Sequence, residues 1–256
     1  MSDIVKYIKD FEKEKLLYLV LAGSRGYSTH TDESDYDYRG VFVNTKEEVI
    51  GSLTRDKQKY WPDTEDAMLH GLQKFVKLAS NASPNVIELL FMNGTAEYIH
   101  PLFAKWFLDN RDDFLSLKCY NSYSGYAWGQ VQQSKHKSSH GSLREKYKCG
   151  DPQDPYDSKY AMHTIRMMYN GLEIIQTGML TPNFKDSGLL TVLQEIRKGD
   201  FYKNATEFYQ HVESLDADIK KSHEHASIGK WLREEPSRDR MNELLIGFYE
   251  ELWYSK

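Results

Sequence analysis

Cysteine is scarce: Cys119 and Cys149 are the only two in 256 residues. Two thiols make no disulfide framework, and neither sits in a CxxC or beside a His/Cys set, which argues against a structural zinc site and for reduced thiols. Long apolar runs are missing as well. Nothing approaches the roughly 20 residues that a membrane helix needs. The opening segment MSDIVKYIKDFEKEK is charged throughout and lacks the apolar core of a signal peptide. These absences together predict a cytoplasmic protein with no membrane partner. Excess positive charge is missing too. With a net charge of −5, nucleic acid can be met only through a local basic patch.

What is present is ordinary globular material: 40% hydrophobic and 28% charged residues, enough at this length for one large or two smaller cores. Ile4, Tyr7, Ile8 and Phe11 recur at helical spacing over residues 2–15, behind a Ser2 or Asp3 cap. Residues 16–22 are continuously apolar and read as a strand buried on both faces. Gly23-Ser24 turns the chain, residues 36–43 (YDYRGVFV) read as the next strand, and a third is expected around Lys57–Trp61. Asp63-Thr64-Glu65-Asp66 reads as a helix start, with Leu69, Leu72, Val76 and Ala79 on one face of the helix. Ser83-Pro84 opens a short helix. Beyond about residue 98 strand signals give way to helices, expected at His100–Leu117, Tyr120–Gln133, Ser158–Thr177, Gly188–Lys198, Ala205–Lys221 and Ser237–Trp253. Between two of them, Lys135–Asp157 is too long for a passive connection. The organisation expected is a mixed α/β front half, 1–98, and an all-helical back half, 99–256.

The chemistry concentrates after the first strand. Asp35 and Asp37 are spaced i, i+2, which on a strand puts both carboxylates on one face. Carboxylates held together repel unless a cation lies between them, and hard cations such as Mg²⁺ take such ligands together with substrate phosphates. Alone, D-x-D reads more readily as a solvated strand start with ordinary surface acids; the turn before it changes that weighting. Gly23 lets backbone approach a ligand, Ser24 offers donors suited to phosphate oxygens, and Arg25 adds positive charge. Arg39, beside the aspartates, reads as a residue that holds their geometry or makes a surface ion pair.

Gly23-Ser24-Arg25-Gly26 followed by Ser34-Asp35-Tyr36-Asp37-Tyr38-Arg39-Gly40-Val41 resembles the signature of the DNA polymerase β-like nucleotidyltransferases. Within them it is most similar to the group associated with RNA repair, whose pattern is GSRxxG…SDxDxRG. The likeness continues more loosely through Lys74-Phe75, Asn85…Glu88-Leu89-Leu90 and Lys159…His163…Arg166, most of residues 16–178. The resemblance implies an α+β fold: a polymerase β-like core with a mixed sheet, followed by a helical domain completing a cleft. It also implies two Mg²⁺ ions (Mn²⁺ as a substitute) held by Asp35, Asp37 and a third carboxylate. Asp66 fits that third place best, with Asp63, Glu65 and Asp56 as rivals.

In the helical half, Lys159, His163, Arg166 and Asn170 fall in one narrow stripe of the helix 158–177, opposite Ile165, Met168, Leu172 and Ile175. The plain reading is the wet face of an amphipathic helix; the resemblance makes Lys159, His163 and Arg166 nucleotide-binding cations. Residues 134–148 carry five cations, Lys135, Lys137, Arg144, Lys146 and Lys148, against Glu145 alone. Such a loop suits a phosphate backbone, a nucleotide, or plain solvent. His223 and His225 read as a helix end, and Trp128, Tyr123 and Tyr126 as core. The function expected is transfer of a nucleoside monophosphate from an NTP, ATP among the candidates, to an acceptor hydroxyl with release of pyrophosphate. An RNA end is the first choice of acceptor, a protein hydroxyl the second and a small molecule the third. A non-catalytic binder on the same fold is the rival class.

Overall fold

The computed structural model describes residues 15–51, 58–61 and 66–254. The helix expected over 2–15, apart from Lys15, lies outside them, as do Asp56, Asp63 and Glu65. The architecture is α+β. A five-stranded mixed sheet runs in the order β3-β4-β2-β1-β5, with β1 Leu16–Leu21, β2 Asp37–Phe42, β3 Gln58–Trp61, β4 Asp66–Gly71 and β5 Ala96–Ile99. β1 is antiparallel to β2 and β5, whereas β2 and β4 run parallel with Asp37 opposite Asp66.

Strand alternation explains the sequence of the sheet. Leu19, Leu21, Tyr38, Ala67, Leu69 and Tyr98 share one face, where with Leu16 and Phe42 they form an apolar cluster. Tyr18, Val20, Asp37, Arg39, Val41, Asp66, Met68 and His70 share the other. β1 needs apolar residues at every position because both its faces are covered. The same alternation corrects the helix expected from residue 63. Asp66–Gly71 is strand, since Ala67 and Leu69 are buried at period two, and the helix begins only at Leu72.

The helices of this first unit are α1 Gly23–Gly26, α2 Lys46–Ile50, α3 Leu72–Ser80, α4 Pro84–Ile87 and α5 Pro101–Phe103. α3 buries Leu72, Phe75, Val76 and Ala79. The helix expected over His100–Leu117 is broken into α5, a wide π turn Ala104–Leu108 closed by Asp109 N–H on Ala104 O at 2.9 Å, and a 3₁₀ turn Arg111–Phe114. Phe103 and Phe107 from this stretch join an aromatic ladder. Tyr18 stacks on Phe103 at 5.0 Å, Phe75 meets it at 6.0 Å, Phe103 meets Phe107 at 5.3 Å, and Phe107 meets Phe248 at 5.7 Å between centroids.

Phe248 belongs to the last helix, so the unit is discontinuous in sequence. Residues up to Phe114 group with those from Pro236 on, and Leu115–Glu235 form a second unit. This division differs from a single cut at residue 98. Its physical reason is visible in the bonds: Arg240 donates to Asp113 Oδ2 at 2.8 Å and Asn110 Oδ1 at 2.7 Å, and Trp106 Nε1 donates to Glu251 Oε2 at 2.8 Å.

The second unit holds α6 Lys118–Ser139, the hairpin β6 Lys148–Cys149 and β7 Tyr156–Asp157, α7 Ser158–Thr177, α8 Leu189–Lys198 and α9 Ala205–Gly229; α10 Arg238–Tyr254 returns to the first. α7 has the expected bounds. Asp157 caps it by accepting from Tyr160 N at 3.0 Å, and Gly178 at φ +70° ends it. α6 and α7 pack closely because Gly171 offers no side chain where Tyr123 Cβ stands, 2.9 Å from an added Cβ. The expected loop from Lys135 is shorter than its sequence implied, since α6 continues to Ser139 and the remainder folds into a 3₁₀ turn, Glu145–Tyr147, and the hairpin. Cys119 and Cys149 are both free thiols. Among the described residues no helix is long and apolar enough to cross a membrane.

Phe103 is fully buried at the centre of the ladder. Phe103→Ala is expected to cost about 3–5 kcal/mol, and Phe103→Leu less than half of that. Urea unfolding midpoints check this; equal midpoints for wild type and the alanine variant would remove the ladder from its central place.

Candidate active site

β1 ends at Leu21, and α1 follows after Ala22. Gly23 stands at φ +59°, a left-handed conformation that a side chain strains. A second constraint is stronger. An added Cβ at Gly23 would lie 2.1 Å from Asp37 Oδ2 and 2.9 Å from Asp37 Cβ, so the missing side chain is where the aspartate sits. The turn is anchored from below. Tyr18 Oη donates to Leu89 O at 2.9 Å, Thr95 Oγ1 to Leu21 O at 2.8 Å, and Tyr27 Oη to Glu88 Oε2 at 2.8 Å with Glu88 fully buried. The stretch around Glu88 therefore supports the turn from within the core. The opening N–H groups of α1 are those that a helix leaves without an acceptor inside itself.

Arg25 is committed to the loop that follows. Its Nε and Nη2 donate to Ser34 O at 3.1 and 2.9 Å, and its guanidinium lies 4.1 Å over the Tyr36 ring. Ser28 adopts φ +65°, at the place where the resembling pattern has glycine. Thr29 N donates to Ser24 O at 2.8 Å, and Ser34 N to Thr31 O at 2.9 Å. The loop carrying Asp35 is thus pinned by Arg25, a role without any sign in the sequence.

Asp37 opens β2 and Asp66 opens β4, opposite each other in parallel register. Arg39 spans them: Nη2 lies 3.4 Å from Asp37 Oδ1 and 3.3 Å from Asp66 Oδ2, while Nη1 donates to Tyr38 O at 2.9 Å. All three are partly exposed. The contacts to the carboxylates are at the long end of hydrogen bonding, whereas Arg240 reaches Asp113 at 2.8 Å. Arg39 is a loosely held cation between two acids. Two carboxylates at one register gripping one positive group form a donor pair that suits a hard divalent cation. Asp35 is exposed and precedes the strand, so strand alternation does not align it with Asp37. Among the described residues no group of three or more His, Cys, Asp and Glu is gathered closely enough to hold a metal ion.

His70, two residues beyond Met68 on the same face, is buried, and its Nδ1 has no partner among the described residues. Burial, then the nearby charges of Lys74 and Arg39, push its pKa down to about 4, so it stays neutral near pH 7.

In the second unit the α7 stripe is divided. Lys159 is exposed and lies 5.7 Å from the centroid of the Tyr147 ring. Arg166 and Asn170 are buried, and Ile165, Met168 and Ile175 on the opposite side are buried as well, so α7 is enclosed nearly all round. Arg166 Nη2 lies 3.0 Å from Met167 Sδ and 3.5 Å from His163 Nδ1, and His163 Nε2 lies 3.4 Å from Tyr126 Oη. Burial, Arg166 and Lys159 push the His163 pKa down to about 3. The stripe read as a wet face is packed at Arg166 and Asn170, while His163 is half-buried and Lys159 is exposed. The helical period gives the stripe but not what packs on it.

Three comparisons bear on this arrangement. The profile of the RNA repair pathway DNA polymerase beta family matches residues 2–247. An uncharacterised 38.9 kDa protein of Enterobacteria phage T4 is 30% identical over 128 residues, 46% of this chain and 38% of that protein. The chain thus matches well under half the length of this relative. A nucleotidyltransferase-like protein from Exiguobacterium sibiricum aligns over 97% of this chain and 80% of its own, at 10% identity and a TM-score of 0.31, too loose a likeness to carry an argument.

Gly23→Ala is expected to cost about 1–3 kcal/mol from backbone strain and displacement of Asp37. Gly94→Ala, where an added Cβ meets nothing within 4 Å, serves as the control; similar denaturation midpoints for the two variants would dissolve the Gly23–Asp37 constraint. His163 predicts a pH dependence. Its folded pKa of about 3 lies below the unfolded 6.5, so between those values the unfolded chain binds the extra proton. Stability therefore rises with pH across that window, by up to about 1.4 kcal/mol per pH unit for this one proton. His163→Gln should flatten the slope, read from urea titrations between pH 4 and 7.

Proposed function

We propose, for a chain that belongs to the RNA repair pathway DNA polymerase beta family, that this nucleotidyltransferase-like protein transfers a nucleoside monophosphate from an NTP to a hydroxyl of RNA. The observation that carries the reading is the parallel register of Asp37 and Asp66, two acids sharing one cationic group beside a glycine-built turn. Asp37 and Asp66 hold divalent metal, Mg²⁺ by choice, with Asp35 joining them from the pinned loop. Such ions, when bound, neutralise the attacking and leaving oxygens of an in-line phosphoryl displacement.

The remaining chemistry belongs to the chain itself. The N–H groups at the start of α1 and the Ser24 hydroxyl hold phosphate oxygens of the NTP. Asp66 accepts the proton of the attacking hydroxyl. The acceptor oxygen bonds to the α-phosphorus, the bond to the bridging oxygen breaks, and pyrophosphate leaves with that electron pair. Arg25 acts through the loop, keeping Asp35 and Tyr36 in place. Arg39 positions the two acids and yields its place between them. The choice of RNA over a protein hydroxyl rests on the family description and on the basic surface of the second unit.

The test uses α-³²P-labelled NTPs with Mg²⁺, RNA oligonucleotides and a cell extract, followed by separation of RNA from protein. Label is expected in RNA. Asp37→Asn and Asp66→Asn should each lower incorporation at least about 100-fold, as loss of charge stabilisation at a reacting phosphorus does. Label in protein alone would replace the acceptor, and undiminished incorporation by the Asp37→Asn/Asp66→Asn double variant would sink the mechanism.

A further inference from the structure

The hairpin region of the second unit gathers cations around two tyrosines. Lys137 Nζ donates to Tyr160 Oη at 2.6 Å and lies 4.7 Å from that ring's centroid. The Arg144 guanidinium is within reach of both rings, 5.4 Å from the Tyr160 centroid and 4.5 Å from that of Tyr147. Around Tyr147 stand Arg197 at 4.5 Å, Lys159 at 5.7 Å and Lys146 at 5.8 Å. The order is cation, ring, cation, ring, then a cluster of cations.

Two acids lie near. Asp157 is fully buried, caps α7 and takes Arg144 at 3.0 Å, while the exposed Glu145 pairs with Lys148 at 3.6 Å. Tyr147 registers the excess of charge. A hydrogen bond from Arg197 and the fields of Lys159, Arg197 and Lys146 outweigh burial and hold its hydroxyl below the usual tyrosine range. Arg197 Nη1 is shielded from solvent and meets no acceptor among the described residues. A guanidinium nitrogen left in that state costs free energy that an anionic oxygen at the cluster would recover.

We propose that this strip, formed by Lys137, Tyr160, Arg144, Tyr147, Arg197 and Lys159, is a binding site for single-stranded RNA. Its cations hold successive phosphates and its tyrosine rings stack unpaired bases. Alternation of rings with cations matches a strand whose charges and π-faces alternate. An acidic peptide would use the charges and leave the rings idle, and a lone triphosphate would need one cluster rather than a run. The proposal deepens the RNA-acceptor reading and rests on it for the choice of strand. It moves Lys159 from the NTP to the acceptor.

The experiment measures anisotropy of a fluorescent, mixed-sequence 12-nucleotide RNA with the full chain, in EDTA and without NTP, over a salt series. Wild type should bind, and the same sequence as a duplex should bind more weakly. Arg197→Ala/Lys159→Ala should weaken binding at least about 10-fold. The same pair should reduce the slope of log K against log salt by about 1.4, some 0.7 for each phosphate of a single strand that is no longer neutralised. Tyr147→Ala should lose roughly 5- to 100-fold while Tyr147→Phe keeps most of the affinity, as stacking requires. The exposed Lys159→Glu alone supplies a variant with little risk to folding, and thermal melts verify each protein. Unchanged affinity and slope across these variants, equal binding of the duplex, or displacement by poly-glutamate as effective as by unlabelled RNA would each overturn the proposal. Because neither metal nor NTP is present, lost binding with intact transfer removes only this site, and intact binding without transfer removes only the catalytic reading.

Discussion

Two carboxylates on neighbouring strands repel each other, and the parallel pairing of β2 with β4 forces Asp37 and Asp66 into that position. The first unit is arranged to tolerate this. Arg39, two residues along β2 and on the same face, spreads one guanidinium between them. Gly23 gives up its side chain so that Asp37 can rest against the turn. The turn is in turn fixed by Tyr27 on the buried Glu88, and β1 behind it by Tyr18 on the Leu89 carbonyl. Each of these features costs conformational freedom or burial of a polar group, and each falls in the structure that holds the two acids. Stability alone offers no reason to place the acids there, since an apolar pair in the same register would leave no repulsion to offset.

The looseness of the Arg39 bridge belongs to the same logic. Contacts of 3.3–3.4 Å to partly exposed carboxylates fix orientation without deep commitment, because surface ion pairs of this kind are worth little. A tight, buried bidentate pair would have held the acids equally well and resisted exchange. Arg25 shows the opposite treatment. Two of its donors converge on one carbonyl and its guanidinium lies over the Tyr36 ring, so it behaves as a strut of the loop. Neighbouring arginines of one motif thus differ in kind, a distinction set by three-dimensional partners.

What can be read from the sequence follows the range of the interactions involved. β1, β2, the Gly23 turn and α7 are local in origin: apolar runs, a positive-φ glycine, a capping aspartate. Their bounds are legible to within a residue or so. The strand at Asp66–Gly71 reads as helix because Leu69, Leu72, Val76 and Ala79 fit a helical period, although β4 and α3 join inside that pattern. The discontinuous first unit is hidden because Phe107 and Phe248 lie far apart in sequence, as do Asp113 and Arg240. Arg166 gives no local sign of burial, since a cationic stripe reads the same whether solvent or another helix covers it. Tyr147 and Arg197 escape for a related reason: the basic loop is visible, but only the fold brings α8 beside it.

The net charge of −5 weighs, on composition, against nucleic acid as a partner. That objection fails on length scale. At physiological ionic strength charges are screened beyond about 8 Å, so a strand responds to the groups it touches and hardly to the average of the surface. Around Tyr147 the cations within reach are Arg144, Lys146, Lys159 and Arg197, while Asp157 is turned inward as a helix cap and the exposed Glu145 pairs with Lys148. On the proposed reading an acidic remainder discourages indiscriminate adhesion along phosphate backbones and leaves binding to a strip that also offers rings. On that reading, selectivity for an unpaired strand would follow from geometry. Only exposed bases can lie against Tyr147 and Tyr160 while their phosphates meet the cations beside them.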